Sequence, residues 1–261
     1  MQEQRRFLLD EARTHEPIKN TLRLAWEFIV LNRKFTLTAM SLLLLLNILT
    51  AFLGLLGMVL SGIFSLAIQI YLSKLVYRVQ DIEEFVKETK YSKIEVAVSK
   101  NSLVATGAYF SWGILLFLLI FVLSTIVQSS GVSLENIKTL DELIPIAKIL
   151  FLPMFILTIL ISYIHPLVQS NIALAEDFKE GFLASFTIFS PTLWRSSFKS
   201  SYPKYIIIIM GLTFLVASFI GIFISLPFIN ILASFIVIVV MYGYMVFSSV
   251  VAMMGRRMLE D

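Results

Sequence analysis

The stretch "FTLTAMSLLLLLNILTAFLGLLGMVLSGIFSLAIQIYLS", Phe35 to Ser73, carries no charged residue. A single helix over this length would reach about 58 Å at 1.5 Å per residue, roughly twice the hydrocarbon thickness of a bilayer. The run is therefore expected to cross a membrane twice. Its centre, "GLLG" (Gly54 to Gly57), offers glycine where the chain must reverse. That reading decides the fold class, because three more uncharged runs follow: Asn101 to Leu134, Ile149 to Ala175 and Tyr205 to Gly255. The last also holds two crossings, and "SLPFIN" (Ser225 to Asn230) is the expected reversal, since Pro227 lacks a backbone N–H and stops a helix before it.

Six spans result, at about 35–54, 57–75, 103–127, 149–168, 205–225 and 230–253. They divide the chain into a cytoplasmic N-terminal segment (1–34), a six-helix membrane domain (35–254) and a short cytoplasmic tail (255–261). The expected class is all-α: a polytopic membrane protein with three helical hairpins and amphipathic segments between them. Composition agrees. The chain is 58% hydrophobic and 15% charged, with a mean hydropathy of +0.87, whereas a soluble domain is about 45–50% apolar and about 25% charged.

The basic residues orient the spans. Residues 1–34 carry seven Lys/Arg, 74–100 six, 128–148 two, 169–204 four and 255–261 two, while both hairpin turns carry none. Basic residues concentrate on the cytoplasmic side of short loops. Both termini are accordingly expected in the cytoplasm, and the membrane is expected to be the cytoplasmic (inner) one. The polar, charged first 34 residues do not form a cleavable signal.

The basic segments have helical patterns of their own. In "EPIKNTLRLAWEFIVLNRK" (Glu16 to Lys34), Glu16, Asn20, Arg23, Glu27 and Lys34 share one stripe at 100° per residue, and most of the remaining surface is apolar. An amphipathic helix at the interface or under the bundle is expected, with Trp26 as an interfacial residue. Residues 78–100 repeat the pattern. In "PTLWRSSFKSSYPKY" (Pro191 to Tyr205), Trp194 stands beside Arg195, Lys199 and Lys204, a combination that favours the headgroup level. "DIEEF" (Asp81 to Phe85) follows the second span as "DFKEGF" (Asp177 to Phe182) follows the fourth. The layout is an interfacial segment followed by a two-helix hairpin, three times over.

"EDFKEGFLASFTIFSPTLWR" (Glu176 to Arg195), followed by a basic approach to another span, resembles six-helix bacterial inner-membrane proteins similar to the membrane domain attached to some glycerophosphodiester phosphodiesterases. The resemblance implies a cytoplasmic-membrane location and a lipid-related role. It implies no catalytic residue, because catalysis in those enzymes belongs to a separate soluble domain.

Chemistry is sparse. The chain has no cysteine and two histidines, His15 and His165, which removes thiolate chemistry and any spacing suited to metal ligation. The spans lack the buried carboxylates of an ion-coupled transporter and the arginine ladder of a voltage sensor. Walker A, dinucleotide and nucleic-acid motifs are absent. No cofactor, catalytic residue or nucleic-acid partner is expected. The lipid bilayer is the expected partner, joined by a membrane protein or a bound lipid, and oligomeric state is open.

The candidate polar contacts are Asn47, His165, Pro166 and Gln169. Asn47 reads as a cross-helix hydrogen bond. His165, in "ISYIHPLVQS" (Ile161 to Ser170), reads as an interfacial residue where a kinked helix leaves the bilayer. The alternative is a pH-sensitive hinge, as histidine titrates near neutrality. Small residues at four-residue spacing (Gly57, Ser61, Ser65; Gly107, Ser111; Ala217, Gly221, Ser225; Ser248, Ala252) predict close helix packing. Two functions follow: a non-enzymatic scaffold, assembly or accessory protein, or a carrier or flippase-like protein for an apolar or lipid substrate.

Overall fold

The computed structural model describes residues 8–129, 140–224 and 230–260, and among them finds eleven α-helices and one 3₁₀ turn. Three hairpins of long helices pair α3 (Arg33–Leu53) with α4 (Leu55–Arg78), α6 (Ile94–Ser129) with α7 (Leu140–Leu174), and α10 (Tyr202–Ile224) with α11 (Asn230–Leu259). Each hairpin is preceded by short helices: α1 (Leu8–Thr14) and α2 (Pro17–Leu31), then α5 (Ile82–Tyr91), then α8 (Phe178–Ser185), the 3₁₀ turn Phe186–Phe189 and α9 (Pro191–Lys199). The protein is thus an all-α, polytopic membrane protein of the expected layout.

Five helices, α3, α4, α6, α7 and α11, are long and apolar enough to cross a membrane, and a sixth is reached when α9 and α10, bent by 93° at their junction, count as one. The α3–α4 reversal falls at Gly54, whose φ of +54° is the left-handed conformation that glycine tolerates. The reversal expected at Ser225–Asn230 lies, up to Phe228–Ile229, outside the described residues, as does 130–139 of the loop before α7.

The helices overrun the expected spans. α6 starts at Ile94, not near 103, and α7 runs from Leu140 to Leu174, not from 149 to 168. The overrun has a packing cause. Burial concentrates at one end of the bundle: Ala67 to Val76 of α4, Ala97 to Ala108 of α6, Tyr163 to Ala173 of α7 and Tyr242 to Met258 of α11 all feed one core with Leu9, Leu24 and Phe28 of the short helices. The opposite halves expose their side chains: Phe52, Phe117, Phe121, Phe151 and Phe214 are all outward. Apolar burial against other helices holds the extra turns at the closed end, whereas the splayed ends are left to be covered by lipid.

Local chemistry gathers the short helices at the closed end. Pro17 opens α2, where its missing N–H costs nothing. Asn32, buried between α2 and α3, accepts from the Phe35 N–H at 2.9 Å and donates to the Thr89 and Ser92 carbonyls at 2.7 and 2.9 Å, so one amide ties α2, α3 and α5 together. The two sequence echoes are matching capping boxes. Asp81 accepts from the Glu84 N–H at 2.8 Å while Glu84 takes the Gln80 N–H at 2.7 Å. Asp177 accepts from the Glu180 N–H at 2.8 Å while Glu180 takes the Glu176 N–H at 2.9 Å. Each satisfies backbone donors that a helix start leaves open.

α8 lies against α6 with backbones nearly touching. A Cβ on Gly107 would stand 2.1 Å from the Phe178 carbonyl oxygen, and one on Gly181 would stand 2.5 Å from that of Val104. Gly57 is equally confined, against Thr50, while Gly221 has nothing within 4 Å. The four-residue pattern therefore marks real close approach at Gly57 and Gly107 and none at Gly221. Both chain ends meet at the closed end as well: the Leu8 N–H donates to the Val79 carbonyl at 3.2 Å, and Arg13 donates to the Arg257 carbonyl at 2.6 Å.

Candidate functional site

Where α10 leaves the core, a groove of about 840 Å³ opens between α7, α10 and α11. Its walls are apolar: Phe155, Ile159 and Ile161 from α7, Ile206, Ile209 and Phe214 from α10, with Phe247 and Val251 from α11. Phe155, Phe214 and Tyr244 are exposed on the outside of the bundle as well as lining the groove, so it opens sideways. A shallower depression of about 410 Å³ lies on the outer surface at the start of α2, lined by Glu16 to Lys19 and Leu22. The groove is the larger, is shared by three helices and carries polar groups.

Half of those polar side chains lie on α7, and Thr213, Tyr244 and Ser248 supply the rest from α10 and α11. Thr158, Ser162 and His165 line the groove at spacings of four and three, which puts them on one helical face. Thr158 donates to the Met154 carbonyl at 2.7 Å, Thr213 to Ile209 at 2.9 Å and Ser248 to Met245 at 3.1 Å, each within its own helix. The side chains of Ser162, His165 and Tyr244 have no hydrogen-bond partner among the described residues. The His165 ring packs on the other side against Trp112 of α6, centroids 5.6 Å apart. Pro166 has no N–H, so the Ser162 carbonyl lacks its usual helical donor.

Next to the groove residues of α7, but outside the groove lining, aromatic rings pack together. Tyr163 stacks with Trp194 at 5.7 Å and Phe198 at 5.2 Å, and meets Tyr202 edge-on at 5.4 Å. The Tyr163 hydroxyl donates to Ser197 at 3.1 Å, and the Tyr202 hydroxyl to the Tyr163 carbonyl at 2.5 Å. Tyr202 reaches this point because Gly255 leaves room for its ring; a Cβ there would stand 2.8 Å from it. Thr21 of α2 and Tyr205 of α10 share a hydrogen bond of 2.9 Å beside it. The α9–α10 bend is thus fixed to both α7 and α2.

The sequence candidates fall in four places. His165 and Pro166 line the groove, and α7 continues unbroken past them to Leu174, with Tyr163 to Ala173 feeding the core and Tyr202 reaching the backbone beside the proline gap. Gln169, 2% exposed, does bond across helices, donating to Gln69 of α4 at 3.0 Å. Asn47 does not. It sits on an exposed face of α3 and donates to the Leu43 carbonyl of its own helix at 2.8 Å, the nearest acceptor when no neighbouring helix covers it. Trp26 is 66% exposed on α2, and Arg195, Lys199 and Lys204 are exposed around the α9–α10 bend. Trp194 beside them is part-buried, its indole N–H donating to the Ile188 carbonyl at 2.8 Å.

Ser162 and Tyr202 stand out in sequence only as a neighbour of His165 and as one of the aromatics beside Arg195 and Lys204, while Trp112 and Tyr244 do not stand out at all. Thr158, Ser162 and His165 form a polar stripe on an otherwise apolar helix, which points to the groove face. The contacts of Trp112, Tyr202 and Tyr244 depend on which helices meet. Among the described residues, no group of three or more His, Cys, Asp or Glu side chains is placed to hold a metal ion. No family model, no curated protein and no solved structure matches the chain.

Proposed function

We propose that this protein handles a lipid or other apolar substrate in its membrane, as a carrier or flippase-like protein and not as an enzyme. The observation that carries the reading is the sideways-open groove between α7, α10 and α11, about 840 Å³ in volume, within the range of small-molecule pockets, about 300–1,000 Å³. Its apolar walls and lateral mouth suit a ligand that arrives from the bilayer and not from water. The resemblance of Glu176–Arg195 to the membrane domain of glycerophosphodiester phosphodiesterases points toward lipid in the same way. We place the protein in the cytoplasmic membrane with both termini in the cytoplasm, supported by the basic residues at the end where the short helices gather.

Purification in a gentle detergent, followed by mass spectrometry of lipid and protein, tests this. A stoichiometric lipid that disappears in Gly211→Phe supports it, since Gly211 lines the groove with nothing within 4 Å of its Cβ position. A stoichiometric partner protein and no lipid would favour the scaffold or accessory role. That reading draws on Leu22, Trp26 and Val30, an exposed apolar stripe along α2.

A further inference from the structure

We propose that the groove selects an uncharged long-chain lipid bearing a free hydroxyl group, such as a long-chain alcohol or an acylglycerol, with that hydroxyl held at Ser162 and His165. The inference rests on the lipid-handling reading and names its substrate class.

Two observations carry it. The first is what the lining omits: none of the described residues around the groove is Asp, Glu, Lys or Arg. A charged headgroup drawn into it would find no counter-charge, and an unpaired charge away from water is costly. The second is what the lining leaves unpaired. The hydroxyls of Thr158, Thr213 and Ser248 are committed to their own helices. The Ser162 hydroxyl and the His165 imidazole on α7 are not, nor is the single Tyr244 hydroxyl on α11; on α7 the Ser162 carbonyl has also lost its helical donor to Pro166, so the unpaired groups gather there. Within one helical turn stand a carbonyl that only accepts, a hydroxyl that donates and accepts, and an imidazole whose neutral form offers one nitrogen of each kind.

A ligand that satisfies this set must itself donate and accept. A hydroxyl does both. A phosphate diester or carboxylate only accepts and brings a charge; an ester or a plain hydrocarbon offers the carbonyl no donor. The acyl chain then lies along the groove between Phe155, Phe214 and Phe247.

Trp112 provides the readout, because its ring is 5.6 Å from His165 and the chain holds three tryptophans. In the Trp26→Phe/Trp194→Phe protein, Trp112 is the sole indole. Diacylglycerol, fatty-acid methyl ester and phosphatidylglycerol, each brominated on the chain, would be titrated into the detergent-solubilised protein. Saturable quenching by the diacylglycerol, at least about tenfold tighter than by the other two, is expected. Ser162→Ala/His165→Phe should bring that ratio close to one while methyl-ester quenching persists. Equal quenching by all three lipids, or a ratio untouched by the double substitution, overturns the headgroup assignment and leaves the lipid-handling reading standing. No saturable quenching by any of them sinks both. If loss of Trp194 disturbs folding, photoreactive diacylglycerol on the unaltered chain serves instead. Cross-links on residues 155–166 that excess unlabelled diacylglycerol removes, and phosphatidylglycerol does not, support the assignment; cross-links elsewhere refute it.

Discussion

The Tyr202 hydroxyl donates to the Tyr163 carbonyl at 2.5 Å, on the backbone next to the carbonyl that Pro166 leaves without a donor. One hydrogen bond thus joins the α9–α10 bend to the proline-containing stretch of α7. Tyr202→Phe keeps the ring on Gly255 but removes the donor. It is expected to lower stability by about 1 kcal/mol, read as a lower denaturant midpoint in mixed micelles. An unchanged midpoint would show that ring packing alone fixes the bend.

The α6–α8 crossing allows no Cβ. Gly107→Ala and Gly181→Ala each press a methyl group onto a backbone carbonyl, which cannot swing aside as a side chain can. Each should cost about 1–3 kcal/mol or prevent the protein from accumulating. Gly113→Ala, also on α6 but with nothing within 4 Å, should be neutral or slightly stabilising.

The Gln69–Gln169 pair should couple. Replacing either with Leu leaves the other amide, buried at Gln169 and part-buried at Gln69, without its partner, at a cost of about 1 kcal/mol. Replacing both should recover much of that loss. A double-mutant cycle checks this, and simple additivity would show that the two amides do not interact.

The two capping boxes should contribute alike. Asp81→Ala and Asp177→Ala each open one helix start, with an expected loss of about 1 kcal/mol apiece. The sites lie on different short helices, so the losses should add, as thermal denaturation of the double variant can establish.

Orientation can be read by cysteine labelling, because the chain has no cysteine of its own. Single cysteines at Lys87, Lys199 and Leu55 report on the two ends of the bundle. The first two should react with an impermeant maleimide only after the membrane is opened from the cytoplasmic side, and Leu55→Cys from the other. The reverse pattern would invert the proposed topology.

The sequence by itself determined the helical class and the three-hairpin plan. Uncharged runs of such length leave the backbone no partner in lipid except its own helix, and Gly54 supplied the one reversal that the structure describes. It also held both capping boxes as the repeated pattern DIEEF and DFKEGF, although the hydrogen bonds that make them caps appear only in the structure. Tertiary structure decided the rest. The sequence placed the end of the fourth span at about residue 168 because apolarity and a proline end there. Packing on α4, α8 and α11 carries α7 to Leu174. Asn47 and Gln169 look alike in sequence, each an amide in an apolar helix, yet one lies on an open face and the other against Gln69. His165 shows the division as well. Sequence gives its depth along one helix, and only the departure of α10 from the core makes it part of a groove wall. Hydropathy counts what leaves water; which helices then meet, and where they part, depends on contacts far apart in the chain.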